Sequence, residues 1–105
     1  MEAALIDQPI RAEVKAAIRR TVEEQYAGKE IVAVDVTRDE DQWGGPLFIV
    51  KIVISDNADL ADFGSKLGSL ARHIRNGLAE VNEYTFPIIR MMPKRDAERL
   101  ARGSR

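Results

Sequence analysis

Between two strongly apolar runs lies Asp39-Glu-Asp-Gln-Trp-Gly-Gly-Pro46, and no other stretch constrains the fold as much. Two glycines and a proline in so short a span suit a sharp connection between strands. Upstream, Val32, Val34 and Val36 alternate with Ile31, Ala33, Asp35 and Thr37, the two-residue period of a sheet with one better-covered face. Downstream, Leu47 to Ile54 is apolar except at Lys51, which reads as a central strand covered on both faces. A short loop between two strands makes an antiparallel hairpin. Its tip holds three carboxylates and the chain's only tryptophan, more than a turn alone requires.

The flanking segments read as helices. Ile10, Val14, Ile18 and Val22 recur every four residues and draw one apolar stripe. Asp7 or Gln8 is placed to cap this helix, Pro9 to occupy its first turn and Gly28 to end it. After the hairpin, Ser55 or Asn57 precedes a second pattern in which Leu60, Phe63, Leu67, Leu70, Ile74, Leu78 and Val81 step by threes and fours. Unbroken, it makes a helix of about 24 residues and ~36 Å. Gly64, Gly68 and Gly77 fall inside it. The spacing runs through the glycines without a slip, which favours one helix with a small-residue face at Gly64, Gly68 and Ala71. A break near Gly64–Gly68 is the competing reading. Phe86 to Met92 reads as a third strand stopped by Pro93, and residues 94–105 as a short helix fraying at its end, with only Ala97, Leu100 and Ala101 as its apolar side.

The order helix, strand, strand, helix, strand, with an optional last helix, predicts an α+β sandwich: a three-stranded mixed sheet with helices on one face. The third strand returns parallel to a hairpin strand by a right-handed crossover. At 105 residues the chain reads as one domain, 1–105. Apolar residues on both faces of the central strand ask for cover on the far side. A second copy of the chain supplies it most cheaply, so a homodimer is expected.

Chemistry is harder to find. With no cysteine, thiolate catalysis and disulfides are excluded. His73 stands between Arg72 and Ile74 without a partner suited to base catalysis, and Ser55, Ser65, Ser69 and Ser104 lack a nucleophile-elbow context. There is no phosphate-binding Gly-Lys-Ser/Thr loop and no dinucleotide fingerprint. Asp35, Asp39, Glu40 and Asp41 match no recognised calcium loop and read as solvated turn carboxylates. The expectation is therefore a protein without catalytic residues, cofactor or metal. Lacking a signal-peptide pattern or a membrane-spanning run, the chain is expected in the cytoplasm. Its charge is uneven: residues 29–62 carry three basic against eight acidic side chains, and residues 63–105 carry nine against four. Such asymmetry serves pairing between subunits or a basic face for nucleic acid.

Two resemblances bear on function. The run Arg38–Asp56 with Phe86-Pro87 resembles a group of small uncharacterised bacterial proteins, in which an acidic–Trp–Gly–Pro turn enters a long apolar strand. That group is similar in size to toxin–antitoxin components, and the resemblance would suggest a companion protein of the HEPN type encoded by a neighbouring gene. The order of elements, with a helix break at Gly64-Ser65-Lys66-Leu67-Gly68, resembles a type II K-homology domain or the related ribosome-maturation fold. There a GxxG turn clamps a nucleic-acid backbone, which would implicate Gly64, Lys66 and Gly68 with Arg72 and Arg75. This chain has three residues between the glycines where that motif has two. The leading expectation is a homodimeric protein-interaction module of a two-protein system, with Trp43, Asp39, Asp41, Gly44 and Pro46 as the contact. The alternative is a K-homology-like RNA-binding domain.

Overall fold

In the computed structural model, which describes residues 9–26 and 30–103, the apolar run after the acidic turn becomes the middle strand of three. The elements are α1 (Ala12–Gln25), β1 (Ile31–Glu40), β2 (Pro46–Ile54), α2 (Leu60–Gly64), α3 (Leu67–Glu80), β3 (Phe86–Pro93) and α4 (Lys94–Gly103). β2 pairs antiparallel with β1 and parallel with β3. The α+β sandwich, its mixed sheet and the central place of the second strand are as the hydrophobic pattern required.

Alternation along β2 sends Phe48, Val50, Ile52 and Ile54 inward, where each is fully buried. Val34 and Val36 of β1 flank that row on one side; Pro87, Ile89 and Met91 of β3 flank it on the other. α1 and α3 pack against each other over this face, closing the core with Val14, Ile18 and Val22 and with Leu70, Ile74 and Leu78. A fully buried aliphatic or aromatic side chain contributes about 1.5–3 kcal/mol, so the four side chains of the β2 row are a large part of the core's stability. On the opposite face Leu47, Ile49, Ile88 and Met92 are only half covered, around a polar row Asp35–Lys51–Arg90.

Several local readings are corrected. Val32 does not share a face with Val34 and Val36: a bulge places both Ile31 and Val32 opposite Ile54, and Val32 is exposed. Helix α1 begins at Ala12, with Pro9 outside it and Arg11 at the N-cap making no side-chain cap. Asp7, Gln8 and Gly28 lie outside the described residues. The cap of the second helix is Asp59, whose carboxylate accepts from the N–H groups of Ala61 and Asp62; Ser55 and Asn57 only shape the preceding turn.

The largest correction is that the long helix is broken. α2 ends at Gly64 and α3 starts at Leu67, with Ser65 and Lys66 between them. Nor do Gly64 and Gly68 form a packing face, since a Cβ built on either meets nothing within 4 Å. Close helix approach occurs instead at Gly77, where a Cβ would lie 3.1 Å from Thr21 Oγ1. Thr21 is buried, and its hydroxyl is held by the Ala17 carbonyl at 2.8 Å. Gly77→Val should therefore overpack the α1–α3 contact and cost about 1–3 kcal/mol, read as a lower midpoint in urea denaturation.

Candidate nucleic-acid interface

The break between α2 and α3 is built from α1. Tyr26, one step beyond the stripe Val14–Ile18–Val22, is buried and stacks on Phe63 with ring centroids 4.7 Å apart. Its hydroxyl donates to the Phe63 carbonyl at 2.9 Å. In a continuous helix that carbonyl would accept from the N–H four residues on. Here it takes the Tyr26 hydroxyl and the Lys66 N–H, the latter at 3.2 Å in a tighter turn. Burial, and then the nearby Asp62 charge, push the Tyr26 phenol above its ordinary value, so it stays a donor.

Beyond the break α3 starts afresh. Lys66 stands at its N-cap without a side-chain cap, and its first turn holds no acidic residue. The N–H groups of a helix's first turn have no partner inside the helix, and the Lys66 side chain does not cap them. Gly68 lies in that turn with open space at its Cβ position. Lys66 is exposed, its ammonium 5.9 Å from the Tyr26 ring centroid. Gly68, Arg72, Arg75 and Ala79 follow at spacings of three and four, so one exposed helical stripe runs from the turn along α3. From Gly68 to Arg75 the rise is about 10 Å.

At the other end of that stripe α3 closes with Asn82 in the left-handed region, φ 58°. The Glu83 N–H donates to the Leu78 carbonyl at 2.9 Å and the Asn82 N–H to the Ala79 carbonyl at 3.1 Å, a Schellman closure. The chain is turned back beside α3 and enters β3. Arg11 reinforces the corner, donating to the Val81 carbonyl at 3.0 Å and to Glu83 at 3.4 Å. Burial alone would raise the Glu83 carboxyl, but hydrogen bonds from Thr85 and Arg11 outweigh it and hold the group below its ordinary range. Between α3 and this segment opens a cleft of about 390 Å³ lined by Arg72, Arg75, Asn76, Tyr84 and Phe86. The Arg75 guanidinium lies 5.6 Å from the centroid of the Phe86 ring, while Tyr84 is 78 % exposed.

The structure thus brings Gly68, Arg72 and Arg75 onto one exposed stripe of α3, with Gly64 at the end of α2 and Lys66 at the intervening break. Asp39, Asp41, Trp43, Gly44 and Pro46 gather separately, at the β1–β2 turn. There Asp41 is exposed, as a solvated turn carboxylate would be, and also builds the turn: Oδ1 accepts from the N–H groups of Trp43 and Gly45 at 2.9 and 2.7 Å. Its backbone closes the turn with Gly45 O and Gly44 N. Gly44 has φ +82°, which favours glycine, and a Cβ on Gly45 would lie 2.6 Å from Asp41 Oδ2 and displace that carboxylate from its place in the turn. Trp43 is 83 % exposed and does not fold back over the sheet. Among the described residues no three His, Asp or Glu side chains converge as metal ligands. Nor, among them, is any helix long and apolar enough to cross a membrane.

Sequence reasoning passed over Tyr26, Asn76, Tyr84 and Phe86. For Tyr26 the signal was present, because it continues the every-fourth-residue stripe of α1; Tyr84 and Phe86 are aromatics at alternate positions in a strand entry. No protein-family model matches the chain, and no curated protein matches it in sequence.

Tyr26→Phe removes one of the two donors to the Phe63 carbonyl and leaves it the Lys66 N–H alone. A stability loss of about 0.5–1.5 kcal/mol is expected, checked by chemical denaturation. Amide exchange at Ser65–Ser69 should quicken in the same variant.

Proposed function

We propose that the protein binds the sugar–phosphate backbone of a nucleic acid at the α2–α3 turn. One observation carries this reading: Gly64 and Gly68 flank a helix break although neither packing nor a left-handed φ requires glycine there. In a helix interior glycine costs ~1 kcal/mol relative to alanine; at the last residue of α2 and the second of α3 the cost is smaller, but no contact and no left-handed φ offsets it. Such a cost without structural return points to a surface that something else must approach closely. A phosphate suits that surface, because the uncapped first turn of α3 offers N–H donors at the positive end of the helix dipole. Lys66, Arg72 and Arg75 supply fixed positive charge beside it and onward along the stripe. The order of elements, the mixed sheet and the position of the break support the resemblance to a type II K-homology domain, although the glycine spacing differs by one residue.

Lys66→Glu and Arg72→Glu should each weaken RNA binding at low salt and reduce the slope of log K against log salt by about one or more. Gly68→Ala separates the functional from the structural account. Its Cβ enters open space, so stability should hold or rise by up to about 1 kcal/mol. Backbone binding should fall all the same. An RNA titration with thermal unfolding of the same samples reads both; a Gly68→Ala protein that binds as well as the parent would count against the turn.

The exposed Trp43 favours a second reading, a protein contact through the β1–β2 turn, either with another copy or with a companion from a neighbouring gene. Aromatic side chains bury large areas at low entropic cost and anchor interfaces. On this reading Trp43→Ala lowers self-association in sedimentation experiments, or capture of the companion, without changing the fold. A strictly monomeric parent protein that captures no companion would remove it.

A further inference from the structure

We infer that two copies of this chain associate face to face through the side of the sheet turned away from α1 and α3, about a two-fold axis that runs parallel to the strands over β2. This surface is separate from the α2–α3 turn and from the Trp43 tip, so the inference stands or falls independently of both readings above.

The outer face asks for cover. Leu47, Ile49 and Ile88 lie half covered on one side of the row Asp35–Lys51–Arg90, and Met92 lies half covered on the other. The inner face meets the same demand with α1 and α3. The row in the middle carries both signs of charge, and among the described residues none of its three side chains forms an ion pair. Such a row suits neither lipid nor a wholly apolar partner. It suits a surface with the opposite order of charges at the same spacing, and a second copy supplies one.

Strand register decides how that copy must lie. Asp35 stands opposite Lys51 and Lys51 opposite Arg90, so the row reads acid, base, base from β1 to β3. Two in-plane two-fold axes can pack such a face on itself. An axis across the strands sets β1 over β1 and each charge over its like. An axis along the strands sets β1 over β3 of the second copy, so each Asp35 meets an Arg90 and the pairing occurs twice. Lys51 falls near that axis with Asp35 as its neighbour in the sheet, toward which its flexible stem can lean. About the same axis Leu47 and Ile49 meet their own counterparts. Ile88 meets Thr37 of the second copy, because Thr37, Ile49 and Ile88 share one row. Sheets packed face to face stay aligned within about 30°, which keeps these rows together.

Three strands of this length make a face about 14 Å wide and 26 Å long. That is small for an obligate dimer and fits a reversible association. Because α1 and α3 lie on the opposite side of each sheet, the two α2–α3 turns end up on opposite outer surfaces of the pair.

Sedimentation equilibrium over a micromolar concentration range, without nucleic acid, tests the arrangement. The parent should behave as a monomer–dimer system. Asp35→Arg and Arg90→Asp each set like charges together twice per dimer, and each should weaken association at least about ten-fold. Both side chains are exposed, so circular dichroism should not change. An equal mixture of the two single variants should recover association, as should the two substitutions combined in one chain, while Trp43→Ala leaves it unaltered. A monomeric parent, single variants that associate as the parent does, or a mixture that fails to recover would overturn the assignment. Loss on Trp43→Ala, with the row variants unaffected, would move self-association to the β1–β2 tip and overturn it equally.

Discussion

The inward row Phe48–Val50–Ile52–Ile54 is the constraint around which every other element is arranged. β1 and β3 hydrogen-bond to the strand that carries it, and α1 and α3 exist as a pair because one helix cannot cover three strands. Covering that row fixes where α3 must lie, and therefore where α2 must hand over to it. Tyr26 manages the handover by giving Phe63 a hydroxyl in place of a helical N–H. Core packing and the exposed turn thus meet in one side chain: the ring belongs to the core, and its hydroxyl donates to a carbonyl at the helix break.

The fold was largely legible in the sequence because it follows from period. Alternation gave two strands, the three/four spacing gave the helices, and an uninterrupted apolar run marked the middle strand. What escaped were features that depend on a partner distant in the chain. The spacing of Leu60 to Val81 passes through the break unchanged because α2 and α3 face the same core, so hydrophobic periodicity is blind to the interruption. Only the Tyr26 hydroxyl, 37 residues away, reveals it. Val32 escaped for a related reason: one extra residue in β1 shifts the alternation, and a bulge is a property of two strands rather than one.

The three glycines illustrate how far composition alone can mislead. All read as parts of one helix, yet Gly77 lies where Thr21 approaches closely while Gly64 and Gly68 face empty space. A glycine that packing demands and a glycine that packing ignores look the same in a sequence. The candidate site was partly visible as a cluster of glycines and cations, and it became a surface only when α3 placed Gly68, Arg72 and Arg75 in one line. The aromatic cleft at the end of that line depends on the Schellman closure at Asn82, which turns Tyr84 and Phe86 back beside the helix.

The β1–β2 turn has an optical consequence. Its Trp43 is the chain's only indole and is 83 % exposed, whereas Tyr26 is buried at 2 %. Tryptophan emission will therefore start from a water-like spectrum in the native state and change little when the core melts. The same insensitivity gives a quiet background: a blue shift on adding any molecule reports that something has come to rest on the Asp41-braced tip, independently of what happens in the core or along α3.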